Sequence, residues 1–257
     1  KLLAPALAGS FRIQQHPEYA IRVILHGLEG AIDGKTYAGG LMQPMKEQSD
    51  QWIADVVSYI RNGLSNDASF VTAQQVAAIR ANTNKQAVMY KFESLLKQVP
   101  MEFVPDQSWK FYATHTSSTR VGGNASPKSA FNYEGWSTGK TQEKDMVFQV
   151  EFPSEYTLSE FHFTSTSGFK RGQRPAAGVT PEFTHTYPRN LQVEASTNGS
   201  DWQVVQANVK GTLGDNIVAL TPTRTKFLRL KLAEGVNAAA NDITPWSMRS
   251  MKIYGLR

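Results

Sequence analysis

Two periods divide the chain. Over residues 1–100 the apolar side chains recur at helical spacing. Ile21, Ile24, Leu25 and Leu28 fall at i, i+3, i+4 and i+7, one face of a helix, and Gly27, Gly30 and Gly34 then break it into a loop. Ser49 reads as an N-cap, with Asp50 favourable to the dipole in the first turn. Trp52, Ile53, Val56, Val57 and Ile60 form the buried stripe that follows, and Arg61 and Gly63 supply its C-terminal end. Thr72-Ala-Gln-Gln75 has the spacing of a capping box and opens a short helix through Val76 and Ile79. A further helical tract is expected over residues 85–98.

From about Val104 onward the period falls to two. Met146, Phe148, Val150 and Phe152 point one way along their segment. Phe161 and Phe163, then Leu191, Val193 and Ala195, then Leu228, Leu230 and Leu232, then Met251 and Ile253 alternate with polar neighbours in the same manner. Turn signals such as Thr197-Asn-Gly-Ser200 and Leu213-Gly-Asp-Asn216 separate several of these runs. Many short, half-buried strands with turns between them predict an antiparallel β-sandwich. The expected fold class is therefore α+β and multidomain: a small all-α region over residues 1–84, a helical segment and linker over 85–103, and the sandwich over 104–257.

Composition narrows the function classes. At 257 residues the chain is long enough for two domains without disulfide staples, and it contains no cysteine. Disulfides, thiolate metal sites and thiol catalysis are excluded within it. The net charge of +5 splits into 10 Lys/Arg against 9 Asp/Glu through Phe103 and 17 against 13 beyond it. That excess is small and scattered, without the concentrated basic stripe of a nucleic-acid binder. No run of 18 apolar residues supports a membrane span. The chain opens on lysine with no charged-then-apolar leader, which reads as a fragment or processed piece of a longer protein. A P-loop, His-Glu-x-x-His and Gly-x-Gly-x-x-Gly are all absent, and the five histidines are dispersed. These observations favour a non-enzyme.

Leu3-Ala-Pro-Ala-Leu-Ala-Gly-Ser10, Ile21-Arg-Val-Ile-Leu-His-Gly-Leu28, Tyr37-Ala-Gly-Gly-Leu-Met-Gln-Pro-Met45 and Trp52-Ile-Ala-Asp-Val-Val-Ser-Tyr-Ile-Arg-Asn62 together resemble the distal half of a bacterial class I cytochrome c. They are similar to the haem-binding region found late in large bacterial membrane-bound dehydrogenase-type proteins. The resemblance implies Met42 as the axial ligand of haem iron, with Met45 as the competing choice, and Tyr37 and Trp52 lining the cofactor. A thioether is a soft, neutral ligand that raises the potential of haem iron. The family's Cys-x-x-Cys-His is absent, so no cofactor is expected in this chain alone. Haem c enters only if an upstream segment carries that motif.

Residues 104–257 resemble a coagulation factor 5/8 C-type (discoidin) domain, the galactose-binding-like jelly roll shared with family 32 carbohydrate-binding modules. The matching residues are Ala125-Ser-Pro-Lys-Ser-Ala-Phe-Asn-Tyr-Glu-Gly-Trp136, Gln142, Met146-Val-Phe-Gln-Val150, Tyr187-Pro-Arg-Asn-Leu-Gln-Val-Glu-Ala-Ser196, Asn198-Gly-Ser-Asp-Trp202, Lys226-Phe-Leu-Arg-Leu230 and Trp246-Ser-Met-Arg-Ser-Met-Lys-Ile-Tyr-Gly255. The resemblance implies a ligand role for loops at one end of the sandwich. The candidate residues are Trp136 (either ligand platform or core edge), Phe169, Arg171, Arg174, His185, Tyr187 and Trp246. Where bacterial members hold calcium beside an Asp-Gly turn, this chain has Asn132-Tyr-Glu-Gly135, without the aspartate. The combined expectation is a non-catalytic piece of an exported bacterial redox protein. Its sandwich would bind carbohydrate or cell-envelope polysaccharide in the periplasm or outside the cell, and its other partner would be an upstream dehydrogenase or cytochrome segment. Electron transfer through Met42 and a protein-contact module are the alternatives.

Overall fold

The computed structural model describes residues 3–117, 126–169, 183–237 and 243–256. The chain divides into two units, Lys1–Glu102 with Leu256–Arg257, and Phe103–Gly255.

In the first unit a short turn of helix α1 (Phe11–Gln14) leads to α2 (Pro17–His26), which starts with proline at its first position, where the missing N–H costs nothing. Both sides of α2 are buried. Ile21, Ile24 and Leu25 pack with Ile53, Val57 and Val76, whereas Tyr19 and Val23 pack with Tyr90, Phe92 and Leu95. A helix covered on two faces is a core helix rather than a surface one. Helix α3 (Asp50–Asn62) is capped by Ser49 Oγ, which accepts from Trp52 N at 3.2 Å, and α4 (Ala73–Asn82) carries the expected capping box between Thr72 and Gln75.

Two expectations for this unit change, at Trp52 and over residues 85–98. Trp52 does not join the α3 stripe; Ile53, Ala54 and Val57 are its buried residues, and Trp52 stands on the outer side. Arg61 stands in the last turn of α3 with Gly63 following as its C-cap, as expected, and it also enters the interior. It is buried, and its guanidinium donates to Ile13 O and Gln15 O at 2.6 Å each and to Ser69 O at 3.0 Å. Helix over 85–98 shrinks to α5 (Phe92–Leu96). Ahead of it, Tyr90–Lys91 is extended and pairs in parallel with Leu28–Glu29, which also pairs antiparallel with Leu41–Met42. These are β1 (Leu28–Glu29), β2 (Leu41–Met42) and β3 (Tyr90–Lys91), so the region is helical but not all-α. Gly27 makes the sheet possible. It ends α2 at φ +78°, and a Cβ there would stand 2.6 Å from Met42 O.

The second unit is an antiparallel β-sandwich, as the period of two predicts. Numbering from β4 (Met101–Glu102), its strands are β5 (Lys110–Ala113), β6 (Trp136–Thr141), β7 (Val147–Ser165), β8 (Ser167–Phe169), β9 (Phe183–His185), β10 (Leu191–Ser196), β11 (Gln203–Val209), β12 (Gly214–Leu232) and β13 (Pro245–Leu256). The two 19-residue strands serve both layers. The first half of β7 pairs β5 and the last half of β12, and β12 pairs β10, which pairs β11. The second half of β7 pairs the first half of β12, and β13 and β6 extend that layer. Both strands bend where the register shifts, between Ala219 and Thr223 and between Thr225 and Phe227. Pro222 lies at the first of these, where a missing ladder donor is tolerated. Phe148, Val150, Phe152, Phe161 and Phe163 from β7 and Leu228, Leu230 and Leu232 from β12 fill the space between layers. Each such side chain contributes on the order of 1.5–3 kcal/mol.

Candidate functional site

The segment between β9 and β10 concentrates polar and aromatic groups. Its residues alternate as a strand would: Thr184, Thr186 and Pro188 are buried, while His185, Tyr187 and Arg189 are half-buried and share the outer side. The inner residues anchor it. Thr186 N donates to Thr166 O at 2.9 Å, Thr186 Oγ1 donates to the same carbonyl at 2.7 Å, and Ser247 N donates to Thr186 O at 3.0 Å. Ser247 Oγ donates to Thr186 Oγ1.

Gln142 is the principal clamp. Only 1% of it is exposed. Its side-chain Nε2 donates to Tyr187 O at 2.9 Å and to Pro245 O at 3.4 Å, and its Oε1 accepts from Arg189 N at 3.1 Å. Its own backbone N donates to Thr244 O at 2.9 Å, and its carbonyl accepts from Val236 N at 2.8 Å. One buried amide thus joins the end of β6, the start of β13 and the segment over residues 187–189. Both ends of the amide are used, so a hydrocarbon side chain would strand a buried carbonyl and a buried N–H.

The outer side is a stack. The His185 and Tyr187 rings lie 5.8 Å apart and 19° from parallel, and the Arg189 guanidinium carbon stands 3.9 Å over the Tyr187 ring. Arg189 Nη2 donates to His185 O at 3.3 Å, which fixes the fork over the ring. Among the described residues, His185 Nδ1, Arg189 Nη1 and Asn190 Oδ1 are buried without a hydrogen-bond partner, as are Ser165 Oγ and the indole nitrogens of Trp136 and Trp246. Chemically, the cluster combines aromatic rings with a guanidinium, a carboxamide and an imidazole at half-buried positions. It has no nucleophile–base pair, and among the described residues no group of three His, Cys, Asp or Glu converges to hold a metal.

Of the predicted ligand residues, the structure gathers His185 and Tyr187 here. Phe169 lies at the end of β8, paired across the ladder with Phe183, and its side chain is outside the described set. Arg171 and Arg174 lie outside the described residues. Trp136 and Trp246 are corrected: both are 0% exposed, so neither offers a face to a ligand. Their rings meet edge to face at 5.1 Å, and Trp136 also packs on Phe148 at 5.0 Å. The cause is that both surfaces of β6 and β13 are covered at these positions: Trp136, Ser137 and Thr138 are all buried, as are Trp246, Ser247 and Met248. In the first unit, Met42 (37% exposed), Met45 (42%) and Trp52 (39%) are at the surface, and Tyr37 is half-buried. His26 is no ligand candidate: its Nε2 is 2.7 Å from Thr83 Oγ1, and burial together with Arg22, Lys46 and Arg80 lowers its pKa. In the turn after the 3-10 helix (Pro127–Phe131), Asn132 Oδ1 accepts from Glu134 N at 2.9 Å and Gly135 N at 3.3 Å.

Arg189 and Asn190 were not among the sequence candidates. The signal was present in the alternation of His185, Tyr187 and Arg189, but Pro188 interrupts it and gives the segment the look of a turn.

No protein-family model matches the chain, and no curated protein matches it. Among solved structures it is similar to the family 32 carbohydrate-binding module of Clostridium perfringens NanJ in complex with galactose (14% identity, 61% of this chain and 99% of that chain, TM-score 0.43). It is also similar to CpGH89CBM32-5 from Clostridium perfringens in complex with GalNAc-beta-1,3-galactose (17%, 57% and 94%, 0.40). A third is the chitosan-binding module 1 derived from a chitosanase/glucanase of Paenibacillus sp. IK-5 (13%, 58% and 96%, 0.41).

Replacing Gln142 by Ala removes three side-chain bonds and leaves Tyr187 O and Arg189 N without their partner. We expect a loss of about 2–4 kcal/mol in the stability of the second unit, read by chemical denaturation. Wild-type stability in this variant would show that the clamp is dispensable.

Proposed function

We propose that the second unit is a non-catalytic carbohydrate-binding module of the discoidin type, and that His185, Tyr187, Arg189 and Asn190 form its saccharide contact. The observation that carries this reading is the half-buried stack of His185, Tyr187 and Arg189. A sugar ring has an apolar C–H face and a rim of hydroxyls, each both donor and acceptor. The first suits an aromatic surface, and the second suits a guanidinium and a carboxamide fixed at its edge. The site is half-exposed and shallow, so affinity is expected to be weak, with a Kd on the order of 1 mM, about −4 kcal/mol.

In this reading the chain is a piece of an exported bacterial redox protein, working outside the cytoplasm, whose sandwich holds it to polysaccharide or cell-envelope glycan. The supporting feature in the chain is its division of labour: a sandwich with an outward polar cluster, joined to a helical unit with its own separate core.

Calorimetric titration with galactose, N-acetylgalactosamine and chitosan oligomers tests the module. Binding of at least one, weakened about tenfold or more by Arg189→Ala with the fold intact by near-ultraviolet circular dichroism, is the expected result. No heat from any sugar at about 10 mM, with the protein folded, would remove the reading.

A second reading concerns the first unit and is favoured by one observation. Leu41, Met42, Met45 and Trp52 are among the apolar residues that stay exposed although the unit already has a packed interior. Met42 or Met45 would offer its thioether to the iron of a haem carried by another segment, with Tyr37 and Trp52 beside it. That group would supply one-electron transfer; this chain's part is to present a soft axial ligand and an apolar wall. Such residues fit the sixth-ligand place only, since the His26 imidazole is engaged with Thr83. Mixing the chain with a haem peptide that carries its own proximal histidine tests it. A thioether-to-iron absorption band that is lost in either Met42→Ala or Met45→Ala is expected. An unchanged haem-peptide spectrum would contradict the reading.

A further inference from the structure

The turn between β10 and β11 borders a shallow, open pocket of about 270 Å³, lined by Ser196, Asp201, Trp202, Gln203, Thr223 and Arg224 among others. It lies at the end of β10 opposite the His185–Arg189 cluster. Five steps of about 3.3 Å along that strand place the two sites about 17 Å apart. The cavity is slightly smaller than the roughly 300 Å³ at which drug-sized sites begin, which limits its occupant to a group about the size of one ring.

The walls are rigid. Asn198 Oδ1 accepts from Ser200 N and Asp201 N at 2.9 Å each, and its Nδ2 donates to Asp201 Oδ2 at 2.7 Å, so the carboxylate is held in a fixed direction. Ser196 N donates to Thr225 Oγ1 at 3.0 Å, and that hydroxyl donates to Ser196 O at 2.8 Å, which ties the floor to β12. The Trp202 indole is fixed by the Arg229 guanidinium at 3.7 Å over the ring and by Phe227 at its edge, 6.3 Å between centroids. Arg229 is in turn bound to Glu194 at 2.5 Å. An aromatic wall held this firmly loses little conformational freedom when something packs on it.

The charges select the class of ligand. Arg224 pairs with Glu155 at 2.6 Å, Arg229 with Glu194, and Asp201 with the Asn198 amide. Each arginine is thus met by a carboxylate, and Asp201 is held by a neutral amide, so among the described residues no positive charge is left over to attract an anion. What is left is an indole surface beside fixed hydrogen-bonding groups of both kinds. We infer that this cavity is a second saccharide subsite, taking a neutral sugar ring with its C–H face on Trp202 and its hydroxyls toward Asp201 and Arg224. The inference rests on the reading of this unit as a carbohydrate-binding module and deepens it. Two weak contacts about 17 Å apart on one rigid sandwich engage separate residues of one polysaccharide, so that the second binding becomes effectively intramolecular.

Proton–nitrogen correlation spectra of the full chain test it. The Trp202 indole signal is identified by its loss in Trp202→Phe. On titration with the sugars above, as monomers and oligomers, that signal is expected to shift saturably. The shift persists in Arg189→Ala and weakens about fivefold or more in Asp201→Asn or Arg224→Gln, both exposed positions where folding is not at risk. A still Trp202 signal while the Tyr187 and Arg189 amides move overturns the second subsite and leaves the module reading intact. Silence at both places, at about 10 mM sugar, overturns both. A Trp202 shift produced by inorganic phosphate and not by sugar overturns the neutral-ligand assignment.

Discussion

The buried amide of Gln142 is the constraint on which the candidate site depends. A sandwich built by period-two alternation places its apolar side chains between layers, but it does not dictate the path of a connection such as residues 186–190. That path is set by hydrogen bonds. Gln142 meets the carbonyl of Tyr187 and the N–H of Arg189 at once, while its own backbone is tied to Thr244 and Val236. With those bonds made, the connection keeps the extended form that turns His185, Tyr187 and Arg189 to one side. Without them, two backbone groups would have to find water, and the stack would lose its register.

Much of the sandwich was legible because alternation reports burial wherever a strand has one wet face. The runs through Phe148 and Val150, Phe161 and Phe163, Leu191 and Val193, and Leu228 and Leu230 all bury the side that their spacing indicates. Alternation stops reporting burial where both faces are covered. At Trp136 and Trp246 three consecutive residues are buried, so period two carries no information, and an aromatic residue in a family's loop motif looks the same whether it is core or platform. The helices obeyed the same logic. Caps at Ser49 and Thr72 are local and were readable, whereas the fate of residues 85–91 was decided by a partner strand more than 60 residues away, Leu28 with Tyr90.

The site itself was legible in part. His185 and Tyr187 stood out as polar aromatics beside a long connection. Arg189 and the clamp did not, because their roles are relations between distant positions: Gln142 lies 47 residues from Arg189, and no spacing rule links them. The first unit shows the complementary case. Its packed interior takes up many of its apolar residues, while Met42, Met45 and Trp52 stand outside together with Leu3, Phe11, Tyr59, Phe70 and Val88, so exposure alone does not mark a cofactor face. The division between what packs and what faces outward is therefore the common thread of both units.

We propose that the His185–Tyr187–Arg189 stack is a saccharide surface rather than a self-contained packing motif. Saturation-transfer difference spectroscopy on the full chain with galactose and N-acetylgalactosamine tests it most directly. Irradiating the aromatic ring protons is expected to transfer saturation to the C–H protons of one face of the sugar, and Tyr187→Ala is expected to abolish that pattern while the fold is kept. Transfer that survives unchanged without Tyr187, or no transfer at all from a folded protein, would contradict the claim.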